Sequence, residues 1–496
     1  MTARRGRFWI LLATILGSSL VFVDGTVVSL ALPAMQEQFH ASASDAQWIV
    51  EAYAIALGAL MLLGGALGDR YGRRRVFLIG VAIFTLASIW CGLASSMNVA
   101  IAARVLQGIG GMLLAPASLA LLSAHFEGEE RGAAIGTWSA LTAIATTIGP
   151  VLGGVLVDHF SWRAVYFINV PLAAIVLGAT LHAVDESRDT QARGALDLPG
   201  SVLVTAGLAG VVYALIVAPL ESWSSPRVIL AMCGGALALA AFFFVERRAH
   251  NPIVPLALFA SSTFAGVNAV TLLVYAALGG SLYFLPFLMI QVHGYSATAT
   301  GLGMLPFVLV LFVLSRPAGA MLPRFGPRAM LAAGTLVMTV AFIAFGLLER
   351  NVSYWSSFFP AIALLGVGMG IIVAPLTTTV MDSVSQERMG TASGINSAVS
   401  RIAGLLAVAA LGAVLWQGFN AGLDRRANAA HLTRVQRSAI DAQRIRLSAA
   451  RFTDPRLGII VRSAYADGFV FVALACAVFA GVGAVISLVA IRGKTP

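Results

Sequence analysis

The chain has 496 residues, of which 59% are hydrophobic and 11% charged, with 50 glycines and a mean hydropathy of +0.88. That much apolar surface exceeds what a single core can hide, which excludes a soluble domain and implies a polytopic membrane protein. The formal charge of +10 sits in short interhelical turns and one late loop, with no continuous basic stripe, which argues against nucleic acid as a partner.

Apolar runs long enough to cross a ~30 Å hydrocarbon core as helices are expected at 8–32, 47–67, 76–96, 98–124, 133–157, 163–184, 198–219, 226–245, 264–290, 299–321, 329–349, 355–380, 391–418 and 468–491. The first follows Arg4, Arg5 and Arg7 and has no A-x-A-like cleavage site before its polar end, so it reads as a retained span rather than a signal peptide. Between the second and third spans lies Gly65 to Arg75, GALGDRYGRRR, with five charged residues in eleven. Its four arginines place this turn in the cytoplasm, because short loops rich in Lys and Arg stay there. Counting outward, the cytoplasmic ends and short loops hold seventeen bases, whereas the short outer loops hold only Arg163, Arg227 and Arg350. That asymmetry supports fourteen helices with both termini inside.

The remaining segments refine this plan. Asn251 to Phe259, NPIVPLALF, is too short to span and reads as interfacial. The stretch 420–466 falls outside by the count, has nine arginines, and reads as a solvated helical hairpin or as a lid over an exit path. The chain also repeats itself. Moving Gly65–Arg74 forward by 254 residues superposes Arg70, Gly72 and Arg74 on Arg324, Gly326 and Arg328, and an offset of 258 sets RGAAIG at Arg131 over MGTASG at Met389. Two related six-helix halves, 1–190 and 261–496, are therefore expected, with two helices and a linker inserted at 191–260.

At these residues the resemblance becomes specific. GALGDRYGRRR resembles motif A of the major facilitator superfamily, RVLQGIGG from Arg104 its motif B, and GPVLGG from Gly149 its antiporter motif C. VDGTVVSLALP from Val23 is similar to the first-helix motif of the fourteen-helix drug:proton antiporters of the QacA/EmrB type. The resemblance implies an all-α polytopic membrane protein with the major facilitator fold, two six-helix halves plus two inserted central helices. It further implies that Asp69, Arg70, Gly72 and Arg73 form a gate latch, and that Gly149, Pro150, Gly153 and Gly154 mark an exporter. The second copy has Pro323 in place of Asp69, so the latch is expected on one side only.

Ionisable residues inside spans are costly, ~2.5–3.5 kcal/mol each at a helix centre even on lenient scales, so they mark chemistry. Asp24 in the first span is expected to couple protons to substrate, with Glu51 in the second as a further acid, and the resemblance to motif B implies that Arg104 of the fourth tunes the coupling. A carboxyl that loses its proton when a cation arrives is sufficient machinery for exchange. Trp138, Tyr275 and Tyr283 are expected to line a cavity, where aromatic faces suit lipophilic cations. Trp9, Trp48, Trp162, Trp223 and Trp355 fall near span ends, as interface anchors do.

Other chemistries find no support. The three cysteines and seven histidines form no metal-ligand set, and GKT at Gly493–Thr495 has Leu488 where a phosphate-binding loop needs glycine. No cofactor, metal or ATP is expected, and no Ser/His or paired-acid constellation suggests an enzyme. The expected function is proton-coupled efflux of lipophilic, cationic compounds by alternating access in the inner (plasma) membrane, with a small lipophilic substrate, protons and membrane lipid as partners. Export of a neutral or anionic metabolite, or a non-transporting receptor or scaffold, are the alternative readings.

Overall fold

The computed structural model describes residues 3–126, 128–188, 197–248, 254–347, 353–385 and 388–491. Among them the chain is helical, with no strand. Among the described residues, twelve helices are long and apolar enough to cross a membrane, and thirteen if the bent α2 is counted as one span.

Contacts divide the chain into two compact units. The first comprises residues 1–211, 233–253 and 296–301. It begins with α1 (Ala3–Gln38), α2 (Ala43–Tyr71), α3 (Arg73–Gly92), α4 (Met97–His125) and α5 (Gly128–His159). The short α6 (Ala164–Phe167) and α7 (Asn169–Ala183) together make one span. Local chemistry starts several of these helices. Ser42 and Asp45 form a reciprocal capping box at α2, and Ser96 accepts from the Val99 amide at α4, so free N–H groups of the first turns are satisfied. The core is built where α3 and α4 cross, with Phe77, Phe84, Leu114 and Leu121 fully buried. Trp162, expected as an interface anchor, is instead buried, and its indole donates to Gln38 Oε1 at 2.6 Å.

The pair α8 (Leu198–Val217) and α9 (Pro226–Arg248) is shared between the units. Gly235 brings α9 to within backbone contact of Val211. At the other end of the pair Ala214, Ala218 and Val228 form a small buried cluster.

The second unit comprises residues 212–232, 254–295 and 302–496. The interfacial segment expected at 251–259 falls partly outside the described residues; its remainder forms a 3-10 turn at Leu256–Ala260. After it come α10 (Ser262–Phe287), α11 (Ala297–Gly346), α12 (Phe358–Asp382), α13 (Met389–Ala429), α14 (Arg434–Gln443) and α15 (Pro455–Ala490). With 50 residues α11 would extend ~75 Å, more than twice the membrane core, so it must contain two crossings. The break is Gly326, at φ 75 and ψ 160, in the second copy of the arginine turn. α10, α13 and α15 pack together, burying Phe264, Phe419 and Phe469.

The stretch 420–466 is more continuous with the bundle than a separate hairpin. α13 runs on to Ala429 and α15 begins at Pro455, not at 468. Arg426 joins the two through a bidentate pair with Asp467, and Arg444 bonds Asp424 at 2.8 Å.

Candidate functional site

The first unit buries a polar network among its apolar helices. Asp24, 2% exposed on α1, faces Arg104, 1% exposed on α4, at 2.5 Å. The same Arg104 donates to the Ile49 carbonyl of α2 at 3.0 Å and to Gln107 Oε1 at 2.6 Å, and its guanidinium lies 4.0 Å from the centre of the Tyr53 ring. Asp24 Oδ1 accepts from Gln107 Nε2 at 2.8 Å and from Asn169 Nδ2 of α7 at 3.3 Å. Ser88 of α3 receives from both amides, at 2.8 and 3.1 Å. Side chains or backbone from five helices thus meet around one ion pair. Because two opposite buried charges cancel only while they are held together, the network ties the arrangement of α1 against α4 to a charge state.

Gln107, Ser88 and Asn169 were not singled out in the sequence. For Gln107 the signal was present, because it follows Arg104 by three residues and so shares its helix face. Ser88 and Asn169 are single polar residues in apolar spans, and only the fold brings them to Asp24.

Glu51, on α2 two residues before Tyr53, is fully buried. Among the described residues neither of its carboxylate oxygens has a hydrogen-bond partner. Among the described residues it shares no hydrogen bond with the Asp24 network, so the two expected acids occupy different environments: one paired, one unpaired.

The turn between α2 and α3 forms around Gly72, whose φ of 108 suits glycine. Asp69 accepts from Arg73 Nε at 2.8 Å, one turn along, while Arg70 lies over the Tyr71 ring at 5.7 Å. A residue not singled out in the sequence also bonds this turn. Glu186, just after α7, accepts the backbone N–H groups of Arg74 and Arg75, each at 3.0 Å, and the Arg73 amide donates to the Ser187 carbonyl at 2.8 Å. A carboxylate at the free N–H groups of a helix start is favourable both as a hydrogen-bond acceptor and toward the helix dipole. A Cβ on Gly72 would come within 2.7 Å of that carboxyl, so the glycine also makes room for it.

The glycines of α5 work by close approach. A Cβ on Gly149 would collide with Thr26 Oγ1, and one on Gly153 would lie 2.8 Å from Val27, so this stretch seats directly on α1. Gly154 faces the first turn of α11, where a Cβ would meet the Ala297 carbonyl oxygen at 2.5 Å, and α5 runs on as one helix despite Pro150 within it.

The three expected cavity aromatics are placed differently from one another. Trp138 is partly buried against the core of the first unit and donates to Ser18 Oγ at 3.1 Å, which in turn bonds Ser118. Tyr283 is buried on α10 in edge contact with Phe284 at 4.8 Å and tilted against Phe287 at 5.5 Å. Tyr275, on the same helix, is half-buried.

The profile of the Major Facilitator Superfamily matches residues 14–408. The chain is 37% identical over 431 residues to the multidrug resistance protein Stp of Mycobacterium tuberculosis, covering 87% of this chain and 80% of that protein. It is 35% identical to the tetracenomycin C resistance and export protein of Streptomyces glaucescens, over 83% of this chain and 76% of that one. Against the cephamycin export protein of Amycolatopsis lactamdurans the identity is 35%, over 80% and 83%. Among solved structures, a bacterial homolog of the human lysosomal transporter Spinster superposes with a TM-score of 0.67 over 99% of both chains at 20% identity.

Proposed function

Because the chain belongs to the Major Facilitator Superfamily, and is therefore a multi-pass membrane transporter, we propose that it is a proton-coupled exporter of lipophilic small molecules in the plasma membrane. The relatives named for multidrug resistance and antibiotic export support the direction and the class of cargo. Within the superfamily, the first-helix motif favours the fourteen-helix drug:proton antiporters. The working parts are two six-helix halves, with α8 and α9 inserted between them, that rock about the substrate path.

The observation that carries the coupling is the buried pair of Asp24 and Arg104. In the state described here their charges cancel. A proton added to Asp24 leaves Arg104 a buried cation with neutral partners, among them the Ile49 carbonyl, the Gln107 oxygen and the Tyr53 ring. The two protonation states therefore favour different packings of α1 against α4, which is what a proton-driven carrier needs. Glu51, buried without a hydrogen bond among the described residues, is the second proton site, since an unpaired carboxylate is far costlier to bury than the neutral acid. Asp69, Arg70, Gly72 and Arg73, with Glu186, form the latch at one end of the first unit.

A cationic cargo would have to compete with Arg104 for Asp24. That supports a second reading, export of neutral or anionic compounds, in which Asp24 handles protons alone. The two are separated by reconstituting the full chain in liposomes and measuring proton release when ethidium or a neutral polyketide is added. Release with ethidium supports the cationic reading; release with the neutral compound alone supports the second; release with neither contradicts both.

A further inference from the structure

Pro150, Gly154 and Asp158 are four residues apart on α5 and so form one stripe along the helix. All three meet the first turns of α11, residues 296–301, which belong to the first unit. A Cβ on Gly301 would collide with the Pro150 carbonyl oxygen, and one on Gly154 would come within 2.5 Å of the Ala297 carbonyl oxygen. Between these two points helix backbone lies on helix backbone, with little side-chain interdigitation to hold it. One turn beyond Gly154 the contact changes character. Asp158 Oδ1 accepts the Ala297 amide at 3.1 Å, and Oδ2 accepts the Thr298 amide at 2.7 Å. These are the opening amides of α11, which have no acceptor within their own helix, so a carboxylate meets both unsatisfied donors and the positive end of the helix dipole.

We propose that Asp158 is a latch: it holds the end of α5 on the first turn of α11, and transport requires its carboxylate to release those two amides. The proposal rests on the reading of the chain as an alternating-access exporter. The geometry suits a contact that opens and closes. Smooth glycine-faced backbones part without extracting side chains, and a single bidentate acceptor supplies directional holding that water can replace once the helices separate. Asp158 is thus a positioning residue, acting on helix arrangement and not on cargo or proton. Nothing in the glycine stripe alone signals it; the two amide bonds do.

The test is a distance measured without cargo and without a proton gradient, so that failure of proton coupling leaves it readable. Spin labels are placed at Phe160→Cys, 76% exposed beyond the end of α5, and at Ala299→Cys, exposed in the first turn of α11, with the exposed Cys233 replaced by Ser. The full chain is reconstituted in liposomes and the interspin distances are recorded. Asp158→Asn is expected to raise the ratio of separated to joined populations about tenfold, as loss of a charge-assisted bond should, and Asp158→Glu to restore part of the joined population. Ala297→Pro tests the other partner, because proline suits the first helical position while removing only the amide donor. It should shift the ratio in the same direction. Native-like distances in both Asp158→Asn and Ala297→Pro would overturn the latch, as would a shift in the first without a shift in the second.

Discussion

Arg104 stands where one side chain answers to three helices, holding Asp24 of α1, the Ile49 carbonyl of α2 and Gln107 of its own α4. Replacing it by leucine leaves Asp24 as a buried charge without its cation. Arg104→Leu is expected to cost ~3–5 kcal/mol of stability, read as a lowered melting temperature in detergent, and a melting temperature equal to the native one would contradict the buried-pair account. Glu51 makes the opposite case. Having no hydrogen bond to lose, Glu51→Gln exchanges one buried, unbonded polar group for another of equal size, so it should leave the melting temperature close to native while lowering the number of protons released per transport cycle; unchanged stoichiometry would remove it from the proton path. At this scale the sequence was partly legible. Asp24, Glu51 and Arg104 announce themselves because charges in apolar spans are rare. That Asp24 is fully paired, while Glu51 is not, depends on which helices neighbour which, and no one-dimensional spacing contains that. Ser88 and Asn169 join the network for the same reason.

Individual elements show where local rules suffice and where they stop. The turn at Gly72 was recognisable from its charge and glycine, and its φ of 108 agrees. Its carboxylate partner Glu186 lies more than a hundred residues away and was not visible as one. Gly72→Ala combines backbone strain with a clash against that carboxyl and should destabilise the chain by ~1–3 kcal/mol, measurable by thermal unfolding. An equal melting temperature would mean that the turn relaxes freely. In α5 the glycines serve contact, not conformation. Gly154→Val would drive a branched side chain into the Ala297 carbonyl, and is expected to lower cargo flux about tenfold or more in a protein that still inserts and folds; native flux would show that the close approach has no part in transport. The bounds of α13 and α15 were misjudged because a hydropathy pattern ends where arginines begin, whereas a helix needs only backbone bonds and tethers such as Arg426 with Asp467 to continue into water.

For the whole molecule, hydropathy was a reliable guide because in a bilayer almost every crossing must be a helix. Among the described residues twelve helices are long and apolar enough to cross, thirteen with the bent α2, and the fifty residues of α11 are broken at Gly326, where the backbone leaves helical geometry. The large-scale claim that follows is that a proton and a cargo molecule move in opposite directions through one buried acid. Its most direct test is proton release from liposome-reconstituted protein on adding ethidium, comparing the native chain with Asp24→Asn. The account predicts release from the native protein and none from the variant, with both equally folded. Equal release from both would contradict it, because the proton would then travel by a route that does not include Asp24.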